Sequence, residues 1–279
     1  MTSASPPRFS VVIPAFNESL CLAECLVSLA GQDFAGAYEV IVVDNNSVDV
    51  TADIARSLGA TVVMEEKLGV CHARQRGTNV ARGEIVVSTD ADTTFDRVWL
   101  TNIDRAFARD PACVAVAGPC RFVRGPWWGS VYSTILFRLV SLVYAVTGKV
   151  TYVTATNIAF RKRAWPGYDI RLTQGGDELD LLRRLRARGK VAFDLHNRTF
   201  TSARRLNKGL LYNLAVSLLF YYVLGYVLNR LLGRPMLGTA PPVRGADAGA
   251  PARRRLVAAI GIVMLAFLAG LAEYRWDLV

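Results

Sequence analysis

Short apolar runs alternate with helical patterns along the first 200 residues of the chain. Four runs have the length and composition of buried strands, and they cover residues 9–16, 39–43, 60–64 and 84–88. Between the first two runs, leucines recur at helical spacing at positions 22, 26 and 29. Strands that alternate with helices form a parallel sheet covered by helices. The pattern therefore predicts an α/β fold with a Rossmann-like, mostly parallel sheet and helices on both faces.

Polar side chains follow three of these strands at the point where each strand ends. Asn17 and Glu18 follow the first strand, Asp44 ends the second, and Asp90 and Asp92 follow the fourth. Open α/β sheets bind ligands beyond the carboxyl ends of their strands. We therefore expect these three clusters to converge on one crevice.

The most specific of these clusters is the acidic pair Asp90 and Asp92, which flanks Ala91. Like charges this close repel, and burial would raise their pKa values. A divalent cation between the pair and an anionic ligand relieves that repulsion, and Mg²⁺ typically binds one or two carboxylates together with substrate phosphates. The pair therefore predicts a Mg²⁺ or Mn²⁺ site beside a nucleoside diphosphate.

Six motifs, taken in order, resemble the family 2 inverting glycosyltransferases of the GT-A fold. They lie at residues 12–18, 42–49, 69–74, 81–84, 90–92 and 156–161, and the resemblance extends over roughly residues 8–200. It implies transfer of a sugar from a UDP- or GDP-linked nucleotide-sugar to an acceptor, with inversion and with a divalent metal, Mg²⁺ or Mn²⁺, as cofactor.

The resemblance also implies roles for individual residues. The nucleotide-sugar site would comprise Pro14, Ala15, Asn17, Glu18, Asp44, Asn46, Arg74, Asp90 and Ala91. Asp92, supported by Asp90, would reach the metal and the diphosphate. Asn157, Arg204 and Arg205 fall at positions expected near the acceptor or the diphosphate. The two arginines are equally compatible with a positive flank before a membrane helix, and Asn157 with the cap of a turn.

A general base is expected late in the domain, because the attacking acceptor hydroxyl must lose its proton. The resemblance implies two acidic residues there, the second acting as the base. This chain reverses their common Glu-Asp order, which leaves Asp177, Glu178 and Asp180 as candidates. Position favours Glu178, with Asp177 next. Acidic residues at a helix start, where they suit the helix dipole, would show the same pattern.

Two other functions remain open at this point. A nucleotidyltransferase on a related fold would carry a glycine-rich, basic loop after the first strand, whereas residues 14–18 read Pro-Ala-Phe-Asn-Glu. A non-catalytic membrane scaffold with a glycosyltransferase fold is supported only by the reversed acidic order. Hydrolysis of a donor by the purified protein would distinguish an enzyme from a scaffold.

The charge balance points to lipid rather than to nucleic acid. The chain has 33 Lys and Arg against 23 Asp and Glu, a net charge of +10. No nucleic-acid-binding motif accompanies this excess, and arginines concentrate beside long apolar segments, as expected at anionic lipid surfaces. The 5 cysteines form no metal-ligand pattern and indicate core residues in a reducing compartment.

The last third of the chain predicts a membrane region. Within residues 206–279, two apolar segments at about 209–232 and 255–275 approach the roughly 20 residues that cross a bilayer. They predict a multi-pass hairpin that holds a catalytic domain, residues 1–205, on the cytoplasmic face of the cell membrane. The arginine-rich loop 234–255 does not fit the positive-inside rule. An interfacial or re-entrant first segment, or two buried helices, are the alternatives.

A third apolar stretch, residues 126–148, interrupts the catalytic domain. It begins with Trp127 and Trp128 and contains a lone Arg138, which would be costly at mid-membrane depth. We therefore expect a helix at the headgroup level, with tryptophans as anchors. Its place before the base motif indicates a lipid-linked acceptor, such as a polyprenyl phosphate or a glycolipid. A core helix of the domain is the alternative.

Overall fold

The computed structural model describes residues 6–170 and 177–213. The chain divides into two compact units, one made of residues 1–170 and 177–202 and the other of residues 171–176 and 203–279. The described part of the first unit contains both the central sheet and the acidic clusters predicted from the sequence.

The strands of the first unit are β1 (Phe9–Ala15), β2 (Tyr38–Asp44), β3 (Thr61–Met64), β4 (Ile85–Ser88), β5 (Thr93–Phe95), β6 (Cys113–Ala117), β7 (Cys120–Val123), β8 (Ile158–Arg161), β9 (Lys190–Phe193) and β10 (Thr199–Ser202). Its helices are α1 (Leu22–Ala30), α2 (Thr51–Ser57), α3 (Val70–Val80), α4 (Trp99–Arg109), α5 (Trp127–Thr147) and α6 (Asp177–Arg186). A 3₁₀ turn, Lys162–Ala164, follows β8.

The central sheet has seven described strands in the order β3-β2-β1-β4-β8-β6-β9. Among them, only β8 runs antiparallel to its neighbours β4 and β6. The other described pairs, β2–β3, β1–β2, β1–β4 and β6–β9, are parallel. The carboxyl ends of six strands therefore lie at one edge of the sheet, which we call the carboxyl edge.

Side chains alternate between two apolar cores, one on each face of the sheet. Val11 and Ile13 of β1 face the core that includes Leu22 of α1, whereas Val12 faces the other core. That second core includes Leu181 of α6. This alternation is the pattern of a sheet buried on both sides, and it confirms the predicted α/β fold with a mostly parallel sheet between helices.

A small second sheet lies beyond the carboxyl edge, in the order β5-β10-β7. Each of its strands follows a strand of the central sheet after a short connection: β5 follows β4, β7 follows β6, and β10 follows β9. The acidic pair Asp90 and Asp92 lies in the turn between β4 and β5. The small sheet therefore forms a wall directly beside this pair.

Helix α5 is apolar on both of its faces. The inner face buries Gly129, Ser133, Phe137 and Val140, and the Phe137 ring stacks on Phe193 at 6.3 Å between centroids. Among the described residues it is the one helix long and apolar enough to cross a membrane, yet only 22% of its most apolar window is buried in the protein. A core helix would be covered far more completely, so the outer face needs another explanation.

The outer face of α5 is defined by six exposed side chains, Trp127, Val131, Ile135, Leu139, Leu142 and Val146. They recur at intervals of three or four residues, which places them on one continuous stripe of the helix. Arg138 is the charged side chain on this stripe.

In the second unit, the described residues 203–213 form a 3₁₀ turn, Arg204–Lys208, followed by the short helix α7 (Leu210–Tyr212). The Lys208 ammonium group lies 5.0 Å from the centre of the Tyr212 ring. Beyond residue 213, the predicted membrane segments at 209–232 and 255–275 and the arginine-rich loop at 234–255 lie outside the described residues.

Candidate active site at the carboxyl edge of the sheet

The three polar clusters predicted from the sequence follow adjacent strands. Strand β1 lies between β2 and β4, and Ala15 at the end of β1 is in register with Asp44 at the end of β2. Asn17 and Glu18 continue from β1, and Asp90 and Asp92 continue from β4. The expectation that all of them lie at one edge therefore agrees with the strand order.

Two loops at this edge are tied to each other by backbone-to-side-chain hydrogen bonds. We call residues 16–21 the first loop and residues 45–50 the second loop. Asn17 donates its backbone N–H to Ser47 Oγ at 2.9 Å, and its Oδ1 accepts the N–H of Val48 at 2.8 Å. Glu18 donates its backbone N–H to the hydroxyl of Thr51, just beyond the second loop, at 2.9 Å. The amide of Asn17 therefore positions the loops as well as lining the edge.

Asp49 closes the same contact from the second loop. Its Oδ2 accepts the N–H of Ser19 at 3.2 Å, and its Oδ1 accepts the N–H and hydroxyl of Thr51, where α2 begins. Desolvation works to raise the pKa of Asp49, but the hydrogen bonds from Thr51 and Ser19 outweigh it, so the pKa lies below its ordinary value. The Asp49 carboxylate therefore joins both loops to the first residue of α2.

The end of β2 is fixed by its own side chains. Asp44 is buried, and its Oδ1 accepts the N–H of Ser47 at 3.0 Å. Asn46 adopts a positive φ of 67° and donates its side-chain amide to the Glu66 carbonyl. The neighbouring Asn45 donates to two carbonyls and accepts the N–H of Gly69 at 2.8 Å. Asn45 is a site-forming residue that the sequence analysis did not single out.

Arg74 and Asp90 form an ion pair inside the site. The Arg74 guanidinium is 5% exposed and its Nη2 lies 2.8 Å from Asp90 Oδ1, whereas the Asp90 carboxylate is 35% exposed. Cys25 lies beneath them, with its Sγ 3.7 Å from the Asp90 carbonyl oxygen. Burial first, and then the charges of Asp92 and Asp90, raise the pKa of the Cys25 thiol far above its ordinary value. In this conformation Arg74 therefore contacts a carboxylate of the acidic pair rather than solvent.

Asp92 is held from the small sheet. Thr201 of β10 donates its hydroxyl to Asp92 Oδ1 at 3.2 Å, and the N–H of Ser202 donates to the Asp92 carbonyl at 3.2 Å. Thr201 in turn accepts the hydroxyl of Thr93, its register partner on β5, at 3.2 Å. The sequence analysis did not connect Thr201 and Ser202 with Asp92, because nothing local links them to an aspartate more than 100 positions earlier.

The acidic pair fits a hard divalent cation. Asp90 and Asp92 are both partly exposed, and their donor atoms are oxygens, which Mg²⁺ and Mn²⁺ prefer. Within residues 6–170 and 177–213, no three His, Cys, Asp or Glu side chains cluster as a complete metal site. The protein would therefore supply one or two carboxylates, and phosphate and water oxygens would complete the coordination, as is usual for Mg²⁺.

The apolar members of the predicted donor site contribute through their backbone. Ala15 and Ala91 are both buried and belong to one of the two apolar cores, whereas Pro14 is partly exposed. The methyl groups of the two alanines therefore face the core, and the main chain at these positions is the part that can approach a ligand.

Asn157 lies beneath the site rather than in it. Its side chain is 2% exposed; Oδ1 accepts the indole N–H of Trp99 at 3.0 Å, and Nδ2 donates to the carbonyls of Pro119 and Asn197 at 2.9 and 2.7 Å. Because both ends of the amide are engaged inside the protein, we assign Asn157 to the support of the β6–β7 and β9–β10 connections.

Helix α6 brings the predicted base to the same edge. Residues 187–189 alone connect α6 to the start of β9, so the helix ends at the opposite edge of the sheet. Since α6 packs against β9 through Leu181 and Leu185, it must run back along the strand. Its first turn, with Asp177 and Glu178, therefore lies toward the carboxyl edge.

Asp180 differs from the other two candidate bases. Its Oδ1 accepts a hydrogen bond from Arg183 at 2.9 Å, and Arg184 Nη2 lies 2.7 Å from its Oδ2 at an angle that suits an ion pair but not a hydrogen bond. The carboxylate is 13% exposed. Two arginines of the same helix hold the Asp180 carboxylate, so we assign Asp180 a structural role in α6. Glu178, which is half-buried, and Asp177 remain as candidates.

Arg204 and Arg205 lie in the 3₁₀ turn of the second unit, and Asn213 donates its side-chain amide to the Arg205 carbonyl at 3.2 Å. Their predicted role near the acceptor or the diphosphate stays a prediction.

Curated relatives agree on one class of protein. AglE, a glycosyltransferase of Haloferax volcanii, is 35% identical over 107 residues, 36% of this chain and 35% of that protein. An N-acetylglucosaminyltransferase of Rhizobium leguminosarum bv. viciae is 29% identical over 146 residues, 50% of this chain and 32% of that protein. The chain thus spans about a third of the length of each of these relatives.

Solved structures share the fold at low sequence identity. A mannosyltransferase of Pyrobaculum calidifontis, in complex with GDP-Man and Mn²⁺, has a TM-score of 0.61 at 21% identity, covering 98% of this chain and 84% of that one. Staphylococcus aureus TarS 1–349 with UDP-GlcNAc has a TM-score of 0.53 at 20% identity, covering 70% and 58%. These likenesses confirm the GT-A type of sheet.

The family model described as glycosyl transferase family 2 matches residues 10–165. The match includes both tied loops and the acidic pair and ends before α6. Because it covers more than half of the 279 residues, the resemblance inferred from the sequence motifs is confirmed, and the chain belongs to glycosyl transferase family 2.

Proposed function

We propose that this glycosyltransferase moves a sugar from a nucleotide-sugar donor to a lipid-linked acceptor, with inversion at the anomeric carbon. One observation carries the proposal. Asp44 ends β2, and Asp90 and Asp92 follow β4, the two strands that flank β1; a hydrogen bond from a nearby residue orients each carboxylate. Such an edge is where open α/β sheets bind nucleotides.

The donor side of the proposal is a UDP- or GDP-sugar. The tied loops would hold the base and ribose through Asn17, Glu18 and Asp44, as the family resemblance implies. Related structures contain UDP-GlcNAc in one case and GDP-Man in another, so either nucleotide suits this fold. Mg²⁺ or Mn²⁺ at Asp92, beside Asp90, would neutralise the charge that develops on the leaving diphosphate.

Glu178 is the proposed general base. As the acceptor oxygen attacks the anomeric carbon and the bond to the diphosphate breaks, the Glu178 carboxylate would take the proton of the acceptor hydroxyl. The ion pairs of Asp180 with Arg183 and Arg184 support this choice over Asp180. A lipid phosphate as acceptor would bring its own ionised oxygen and need little help from a base.

The outer face of α5 supports the lipid side of the proposal. The inner face of the helix is packed against the catalytic unit, whereas the six outer apolar side chains are exposed, Trp127 by 81%. If α5 crossed the bilayer, lipid would have to surround its inner face as well, and that face is already packed against the catalytic unit. We therefore propose that α5 lies in the plane of one leaflet, where Arg138 can extend toward the headgroups.

The cell membrane with a cytoplasmic catalytic unit is the proposed location, since nucleotide-sugars are made in the cytoplasm. The two apolar segments of residues 206–279 are proposed as a membrane hairpin, preceded by the positive Arg204 and Arg205. Reporter fusions after Ala246 and Val279 of the full chain should report opposite sides of the membrane. The same side for both would contradict the hairpin.

The donor is tested by thermal stabilisation of the purified full chain with a panel of nucleotide-sugars, with and without Mn²⁺. Ligands that bind only the native state raise the midpoint of unfolding. We expect one nucleotide class to stabilise the wild type only with Mn²⁺, and the effect to be lost in Asp92→Asn. Asp53→Asn, at an exposed aspartate of α2, is the matched control and should behave like the wild type. No stabilisation by any donor would overturn the proposal.

Contact of α5 with lipid is tested by tryptophan quenching in vesicles of brominated lipid. The exposed Trp127 should contribute strongly, so Trp127→Phe should reduce the quenched fraction of the emission. Trp99→Phe removes a tryptophan that is fully buried in the core and serves as the control. Equal quenched fractions in the wild type and in Trp127→Phe would show that the outer face of α5 does not enter the leaflet.

A further inference from the structure

We infer that Thr201 is a positioning residue that orients the carboxylate of Asp92 for the metal. The inference rests on the proposed function, in which Asp92 reaches the cation. Thr201 does not touch the donor in this account; it acts through Asp92.

The geometry is a directed chain of hydroxyl groups. Thr93 and Thr201 are opposite each other in the antiparallel pair β5–β10, and their Oγ1 atoms are 3.2 Å apart. The Thr93 hydroxyl donates to Thr201, and the Thr201 hydroxyl donates to Asp92 Oδ1 at 3.2 Å. Because Thr201 Oγ1 accepts the hydrogen bond from Thr93, its own hydroxyl hydrogen is directed toward the Asp92 carboxylate.

The main chain of Asp92 is held by the next residue of the same strand. The N–H of Ser202 donates to the Asp92 carbonyl at 3.2 Å. Two consecutive residues of β10 thus hold the backbone and one carboxylate oxygen of Asp92. Rotation of the carboxylate is restricted, so Oδ2 is presented over a narrower range of directions than in an untethered aspartate.

The hydroxyl groups of Thr93 and Thr201 are buried, so their removal from water costs free energy that their hydrogen bonds must offset. Thr93 is fully buried and Thr201 is 5% exposed. A buried hydroxyl without a partner destabilises a protein, and valine has the same shape and suits a strand as well. The hydroxyl groups are therefore explained by their chain to Asp92. Partners that orient a metal ligand in this way typically change metal affinity by about 10- to 100-fold when they are removed.

The test compares Thr201→Val with Thr201→Ser in the full chain. Mn²⁺ affinity is measured from the electron paramagnetic resonance signal of free Mn²⁺ in the presence of UDP or GDP, without turnover. We expect Thr201→Val to bind Mn²⁺ about 10- to 100-fold more weakly and Thr201→Ser to restore affinity close to the wild type. Binding of the nucleotide without metal should be unchanged in both variants.

Thr199→Val is the matched control, because Thr199 is a fully buried threonine on the same strand that contacts Thr156 and not Asp92. It should keep wild-type Mn²⁺ affinity. If Thr201→Val does not fold, Thr93→Val removes the preceding hydroxyl of the hydrogen-bonded series and should also weaken Mn²⁺ binding. Wild-type affinity in the valine variants would overturn the positioning role alone. Failure of the wild type to bind Mn²⁺ with either nucleotide would overturn the proposed metal site and the positioning role together.

Discussion

Asp180→Asn should lower the stability of the protein and leave the transfer rate unchanged, whereas Glu178→Gln should lower the transfer rate and leave the stability unchanged. Asp180 lies only two residues after Glu178 on α6, and both are acidic. What separates them is their surroundings: Asp180 is 13% exposed and contacts Arg183 and Arg184 within its own helix.

The loss of unfolding free energy expected for Asp180→Asn follows from its contacts with Arg183 and Arg184. Arg183 is 53% exposed, and a surface pair at this helical spacing contributes about 0.2–0.5 kcal/mol. Arg184 is 26% exposed and its contact is more shielded, so losing this ion pair should cost about 0.5–1 kcal/mol, the upper part of the range for exposed pairs. The sum is about 0.7–1.5 kcal/mol, which corresponds to a fall of about 1–6 °C in Tm for a unit of this size.

Glu178→Gln should keep donor affinity and reduce turnover by about 10²–10⁴-fold, as expected when a positioned proton acceptor is removed. The turnover number and kcat/KM should fall together, since the interaction is made only in the transition state. Asp177→Asn belongs beside it, because loss of turnover there instead would move the base by one position.

The assay pairs a thermal melt with a transfer rate measured well below the melting range. Asp53→Asn is again the control, because Asp53 pairs with Arg56 at the same helical spacing but is 77% exposed, so its Tm should hardly change. If Asp180→Asn melted like the wild type and lost turnover, the structural assignment of Asp180 would be refuted. If none of the acidic variants slowed transfer, an acceptor with its own ionised nucleophile would be indicated.

Three further outcomes are expected. Gly77→Ala should lose about 1–3 kcal/mol, because the added Cβ would lie 2.4 Å from Val12 Cγ1, and a urea melt would measure it. Iodoacetamide at pH 8 should label Cys21 faster than the other four cysteines, all of which are buried, as peptide mass mapping would reveal. Asp49→Ala should cost about 1 kcal/mol at neutral pH, because it removes the acceptor of the Thr51 and Ser19 N–H groups. Because folding lowers the pKa of Asp49, its contribution is present above the ordinary aspartate pKa and is lost as pH falls through the folded value, so melts of both proteins should converge in acid.

The central sheet was readable from the sequence because its strands are local apolar runs. β1, β2, β3 and β4 each carry such a run, and the acidic residues after them could be placed at one edge by the parallel rule alone. The small sheet was not readable. β5, β7 and β10 have only three or four residues each, which is too short for a recognisable run or alternation, and β5 and β10 are also rich in threonine.

The same distinction between local patterns and contacts of distant residues applies to the candidate site. Asp44, Asp90 and Asp92 were found because strand ends position them, and their roles stay predictions until they are tested. Thr201 could not be found, because its importance depends on a pairing between β5 and β10 that no local pattern encodes. Asn157 looked like an acceptor residue for the opposite reason: its place in a motif is local, whereas its three buried partners come from elsewhere in the chain.

The ties between the first and second loops have a consequence for how a donor would be received. Asn17, Glu18 and Ser19 are each bonded across to the second loop or to the residue that follows it, so the two segments must move as one body. A surface that is already ordered loses little conformational entropy when a ligand arrives. The base should therefore bind to these loops without a change in their backbone, and any conformational change that follows donor binding should occur elsewhere in the enzyme.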